Sequence, residues 1–267
     1  MNVFDVIRGD SPVVLGQPHG GTFVPDDLMA RLNPRGQALS DTDWHIGRLY
    51  DGLLDGCTIV RSNVHRYVID ANRDPSGVSL YPGQNTTDLC PTTDFDGYPI
   101  WQDGQAPSED EVQSRREAYH APYHEALAGE LARVKARHSV AILYDCHSIR
   151  SDIQFLFDGT LPVLNLGTND GATCHAAVGR MAFEACTRFL PDQSVLNGRF
   201  KGGWTTRHYG QPATGTHAIQ METAQRAYMD EAAPWTYRPD RAAGVRPVFA
   251  SILTGLVRLV ESGALAE

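Results

Sequence analysis

The stretch SVAILYDCHSI, Ser139 to Ile149, constrains the fold of this chain more than any other. Its apolar run shows no polar alternation and stops abruptly at Asp145, Cys146, His147 and Ser148. Such a run reads as a strand buried on both faces, as in parallel sheets covered by helices. Directly before it lies the strongest helical signal, Ser108 to His138. There Ser108 and Glu111 fit a capping box, and Val112, Tyr119, Tyr123, Leu127, Leu131 and Val134 fall near helical spacing. Pro122 is expected to kink or split this helix, because it lacks the N–H and crowds the preceding turn.

The same pattern recurs along the chain. Val13–Leu15 reads as a short buried strand running into a Gly-rich turn. Thr58–Ser62 and Val64–Ala71 read as strands, rich in β-branched residues. LPVLNLG and GTHAIQMET supply two more strands, Ala176–Arg188 a helix, and PVFASILTGLVRLVES a C-terminal amphipathic helix. Strands alternating with helices predict an α/β fold with several parallel strands. With 267 residues, no internal repeat and no dividing linker, the expectation is a single domain over 1–267. Asn72 to Pro107 is dense in Gly, Pro, Asp and Thr, and a loop that long inside a domain is commonly functional.

Composition removes several classes. A net charge of −9 argues against a nucleic-acid partner, which calls for a basic surface. The five cysteines are scattered and form no CxxC pair, so neither a disulfide framework nor a zinc knuckle is expected. No apolar stretch is expected to approach the ~20 residues of a membrane helix, and the N-terminal segment lacks signal-peptide character. The expectation is a reduced, cytoplasmic protein with no membrane partner.

In parallel sheets, ligands collect at the carboxyl ends of the strands. His19 follows VVLGQP there, His147 follows VAILYDC, and Glu222 follows HAIQM. A fourth cluster, Asp41, Asp43 and His45, opens a predicted helix. Two histidines and a carboxylate from separate strand ends would hold one zinc ion with a position open for water. A further unliganded glutamate would then accept a proton. The Cys146–His147 pair raises a rival, a thiolate nucleophile. However, strand geometry puts Asp145 and His147 on one face and Cys146 on the other, which favours packing for Cys146. Asp145 reads either as an acid orienting a histidine or as a satisfied strand-end acid. Ser148 is a strand-end hydroxyl suited to binding substrate. Arg66 and Arg73 in HRYVIDANRDP, with Arg199, Lys201 and Arg207 in RFKGGWTTRHYG, read as an anion pocket or as salt bridges to Asp70 and Asp74.

Six segments in order, QPHGG, SDTDWH, RYVIDANRDPSG, YDCHSI, KGGWTTRHYG and IQMETAQRAYMDE, resemble the N-formylglutamate amidohydrolase (deformylase) family, from about Val13 to about Glu231. The resemblance implies a mixed, mostly parallel sheet flanked by helices, like that of zinc carboxypeptidases and aspartoacylases. It implies zinc-dependent hydrolysis of N-formyl-L-glutamate to formate and L-glutamate, a step of histidine degradation. It assigns His19 and His147 as metal ligands, with Asp43 as the carboxylate ligand and Asp41 its close competitor. Glu222 becomes the general base. Arg66, Arg73 and Arg207 are expected to meet the substrate carboxylates, with Ser148 alongside. Two alternatives stay open: a zinc amidohydrolase for another N-acyl acidic amino acid, and a non-catalytic dicarboxylate-binding protein.

Overall fold

The computed structural model describes residues 2–80 and 83–265. Seven strands form one sheet: β1 Phe4–Ile7, β2 Val13–Gln17, β3 Thr58–Ser62, β4 Ala141–Ile149, β5 Leu164–Gly167, β6 Ser194–Leu196 and β7 Thr216–Ala224, in the order β1-β3-β2-β4-β7-β5-β6. The helices are α1 Asp26–Arg31, α2 Pro34–Gln37, α3 Ile46–Tyr50, α4 Glu109–Arg115, α5 Ala121–His138, α6 Ala176–Phe189, α7 Trp204–Tyr209 and α8 Pro239–Glu261. Strands β3, β2, β4 and β7 run parallel through the centre. β1 is antiparallel to β3, and β5 is antiparallel to β7. The sheet is therefore mixed and mostly parallel.

Every residue of β4 is buried, which explains its unbroken apolar run. Ile142, Tyr144 and Cys146 pack on one side with α6 and α8 residues such as Val178, Phe249 and Leu253. Ala141 and Leu143 pack on the other side with Tyr123, Leu127, Leu131 and Val134 of α5. Asp145 and His147 share this second side by the period of the strand. β4 and β7 pair over their whole length, and His147 stands directly beside Glu222.

The helical signal before β4 divides as Pro122 demands. Ser108 caps α4, its side chain accepting from the Glu111 N–H. A π-turn, Arg116–His120, then separates α4 from α5. Pro122 cannot donate to the Ala118 carbonyl, and a widened turn is one way a helix absorbs that loss.

Three expectations need correcting. Val64–Ala71 is not a strand: Val64 makes one bridge to Phe23, and the chain then turns. Its carbonyls bond to helix side chains instead of to a neighbouring strand, as with Arg115 Nη1 donating to Val68 O at 3.1 Å. Two short edge strands, β1 and β6, were not expected from the sequence. Finally, α8 is, by length and composition, apolar enough to cross a membrane. Its residues Val248, Phe249, Ile252, Leu253 and Leu256 are buried under the sheet, Val257, Leu259 and Val260 are partly buried, and Arg241, Arg258 and Glu261 are exposed.

Candidate active site

From Gln17, the last residue of β2, the chain runs through Pro18 into His19, which is 3 % exposed. The His19 carbonyl accepts the Asp43 N–H at 3.0 Å, fastening the turn that carries Asp43 to the strand end. β4 delivers His147 to the same place. His19 Nδ1 and His147 Nδ1 lie 3.2 Å apart, and Asp43 Oδ2 lies 3.9 Å from the first and 3.6 Å from the second. Asp43 Oδ2 also accepts the Ser148 N–H at 3.0 Å.

Each imidazole spends its other nitrogen on a buried acid. His19 Nε2 lies 2.6 Å from Asp70 Oδ1, and His147 Nε2 lies 3.1 Å from Asp145 Oδ2. A carboxylate accepts only, so each Nε2 carries the proton and each Nδ1 presents a lone pair. Two lone pairs and an anionic oxygen thus converge on one buried point, an arrangement that a cation relieves. Ligands of a tetrahedral zinc ion lie ~3.3 Å apart, given bonds of ~2.0–2.1 Å. The three spacings are close to that, so the residues fit a divalent ion. Carboxylates behind the histidines are the usual supports of such ligands.

The electrostatics agree. Burial alone lowers the pKa of His147, but the Asp145 and Asp43 carboxylates overcome it and hold the imidazole well above its ordinary value, a proton standing in for the cation. Burial and the Arg66 guanidinium push His19 down. Burial also pushes the Glu222 carboxyl up to about 7. Glu222 is 6 % exposed and accepts from the Gln220 amide at 3.0 Å. Asp41 stands apart from the triad, accepting from Tyr67 Oη at 2.8 Å and from the Phe95 N–H at 2.8 Å.

These groups open into a cleft of about 630 Å³. His19, His147, Glu222, Ser148, Arg66 and Arg73 all line it. The long 72–107 segment contributes Asn72, Arg73, Asn85, Thr86, Thr87 and Phe95 to its wall. Among the described residues Arg66 Nε has no hydrogen-bond partner, although the side chain is buried and stacked on Phe95 at 4.8 Å. Arg207 does not line the cleft. Its Nε donates to Gly202 O at 2.8 Å, and it borders a neighbouring depression instead. Arg199, from the same Gly-rich segment, reaches the cleft in its place.

Sequence reasoning missed Asp70 and Asn72 as site residues. Asn72 Oδ1 accepts the Thr205 N–H at 2.9 Å, and its Nδ2 lies 3.2 Å from His147 Nε2. A Cβ on Gly203 would sit 2.3 Å from that amide nitrogen, so the KGGW glycine is the room Asn72 occupies. Cys146 lies in the core on the opposite side, its Sγ 3.6 Å from the Tyr144 carbonyl. Burial pushes its thiol well up, away from nucleophilic use.

Fold and site together define an α/β protein with a buried, cation-type cluster at the carboxyl ends of its central strands, facing an arginine-lined cleft. The sequence profile of the N-formylglutamate amidohydrolase family matches residues 11–229, and the chain belongs to that family. An N-formylglutamate deformylase of Pseudomonas aeruginosa is 45% identical over 251 residues, 94% of each chain. A deformylase of the same name from Pseudomonas putida is 43% identical over 251 residues, again 94% of each chain. Among solved structures, an N-formylglutamate amidohydrolase from Ralstonia eutropha shares the fold, with a TM-score of 0.80 at 22% identity, covering 98% of this chain and 100% of that one. A gene product of Agrobacterium tumefaciens gives a TM-score of 0.73 at 16% identity, covering 98% of this chain and 97% of that one.

Proposed function

We propose that this protein hydrolyses N-formyl-L-glutamate to formate and L-glutamate with a divalent metal ion, zinc by the chemistry of the ligands. The observation that carries this is the convergence of His19 Nδ1, His147 Nδ1 and Asp43 Oδ2, within 4.8 Å of one another, beside an unliganded, buried Glu222. The named activity of relatives at 43% and 45% identity supplies the substrate.

His19, Asp43 and His147 hold the ion, and Asp70 and Asp145 orient the two imidazoles. When bound, the ion supplies Lewis-acid polarisation of the formyl carbonyl and acidifies the attacking water. Glu222 takes a proton from that water as its oxygen adds to the formyl carbon. Arg66, with an N–H still to donate, faces the negative charge that develops on the formyl oxygen. The C–N bond then breaks, and Glu222 returns the proton to the departing amine. Arg73 and Asn72, with Arg199, receive the substrate carboxylates, and Ser148 lies within the same wall. A dicarboxylate suits the two guanidinium groups of Arg73 and Arg199 better than an acyl amino acid with a single carboxylate does.

Purified protein given N-formyl-L-glutamate is expected to release formate and glutamate in equal amounts. Chelation should abolish the release and added zinc restore it. Unchanged turnover after complete metal removal, or faster turnover of acetyl or succinyl derivatives measured side by side, would overturn the assignment. Cys146→Ala is expected to retain turnover. Loss of activity in that variant with an intact fold would bring back the thiolate reading.

A further inference from the structure

The segment Val68–Pro75 carries Asp70, Asn72 and Arg73 into the site, yet it lies in no strand. The Asp70 N–H donates to Leu89 O at 2.7 Å, and four of the segment's carbonyls are held by a row of side chains on the helix before β4. Arg115 Nη1 donates to Val68 O at 3.1 Å, and Arg116 Nη1 donates to Pro75 O at 3.3 Å. Between them, His124 Nε2 lies 2.7 Å from Ala71 O and His120 Nε2 lies 3.1 Å from Arg73 O. A carbonyl accepts only, so both imidazoles donate from Nε2. His124 Nδ1 is left as an acceptor, and the Tyr209 hydroxyl lies 3.1 Å from it. Burial lowers the pKa of both histidines, to about 3 for His124, so neither needs a charge to serve as donor.

The two carbonyls held by histidine flank Asn72. The Asn72 side chain reaches His147, while the Arg73 side chain lines the cleft and donates from Nε to Thr87 O at 2.9 Å. Three of the four donors, Arg116, His120 and His124, are spaced four apart across the π-turn and the start of α5. Trp204 of α7 covers both imidazoles, with ring centroids 5.6 Å from His120 and 4.8 Å from His124.

We propose that His120 and His124, flanked by Arg115 and Arg116, are positioning residues: a rack of side-chain donors that takes the place of a neighbouring strand and fixes Asn72 and Arg73 for substrate binding. This rests on the reading above that Asn72 and Arg73 meet the substrate. The π-turn and Pro122 then belong to the binding machinery, because they shape the helix that carries the rack. A carbonyl bonded by a side chain rather than by a ladder is held only where that donor is present. Loss of one donor therefore frees its carbonyl and the side chains beside it.

The test uses zinc-loaded, full-length protein carrying His120→Phe, His120→Gln or His124→Phe. Phenylalanine keeps the ring volume and removes the donor, whereas glutamine keeps a donor. The two readouts are steady-state kinetics with N-formyl-L-glutamate and hydrogen exchange of the peptide spanning 69–76. Each Phe variant is expected to raise KM by about tenfold or more, the cost of one buried hydrogen bond. It should leave kcat within about threefold and speed exchange of the 69–76 peptide. His120→Gln should stay near the starting protein in both readouts. Wild-type KM and exchange in the Phe variants, or equal losses in His120→Phe and His120→Gln, would show that the imidazoles merely fill space. Should His124→Phe not fold, the His120 pair decides alone. Exchange does not depend on turnover, so it judges the rack even if the starting protein releases no formate.

Discussion

Glu222→Gln is expected to lower formate release on the order of 10³-fold while leaving the bound-metal content unchanged. The substitution keeps the size of the side chain and the bond from the Gln220 amide, made at 3.0 Å, and removes only the ability to take a proton. Glu222 neighbours His147 across the β4–β7 ladder, yet it is not among the converging ligand atoms. This separates two roles that a carboxylate can play beside a metal. A ligand should lose metal when changed, and a base should lose turnover alone. Metal analysis of the variant is therefore as informative as its rate. A Glu222→Gln protein that stays fully active, or that comes without metal, would remove Glu222 from the role of base.

Asp145→Asn and Asp70→Asn are each expected to weaken zinc binding by ~10–100-fold, the usual effect of removing a carboxylate behind a ligating histidine. Asparagine can still accept the imidazole N–H, so the ring keeps its orientation and only the charge is lost. Competition with a chelating dye measures the effect without reference to turnover. An unchanged zinc Kd in both variants would reduce the two acids to packing. Of the pair, Asp70 makes the shorter contact, 2.6 Å against 3.1 Å for Asp145. Each acid accepts one further bond, Asp145 from Thr206 Oγ1 at 3.2 Å and Asp70 from the Asn72 N–H at 2.8 Å, so the contact to the imidazole is what separates them. The larger loss is expected for Asp70→Asn.

Much of this layout is legible in the residues because burial leaves a mark on them. The unbroken apolar run of β4 reflects cover on both faces, and the period of the strand alone sends Cys146 to one side and His147 to the other. Ser108 and Glu111 mark the start of α4, and Pro122 marks its break. The partnership of Asp70 with His19 leaves no such mark, since 51 residues separate them and nothing local distinguishes an acid that orients a ring from one that pairs with arginine. The same holds for Val64–Ala71. Its β-branched residues suit a strand, but the bonding partners that decide the matter lie on a helix some fifty residues later. Arg199 and Arg207 share one Gly-rich segment, and which of them faces the cleft depends on a turn at Gly202, whose φ of 116° favours glycine.

The pairing of β2 with β4 and of β4 with β7 has a consequence for how this chain matures. His19 and His147 are 128 positions apart and come together only once β2 lies beside β4. An unfinished chain on the ribosome, or a fragment cut anywhere between them, holds no preformed trap for metal. Capture of the proposed ion would therefore follow closure of the central strands and could not guide it. Once the strands have closed, an ion held by His19, Asp43 and His147 would tie three distant stretches of polypeptide into one unit, and unloading it should lower the barrier to global unfolding more than that to local fraying.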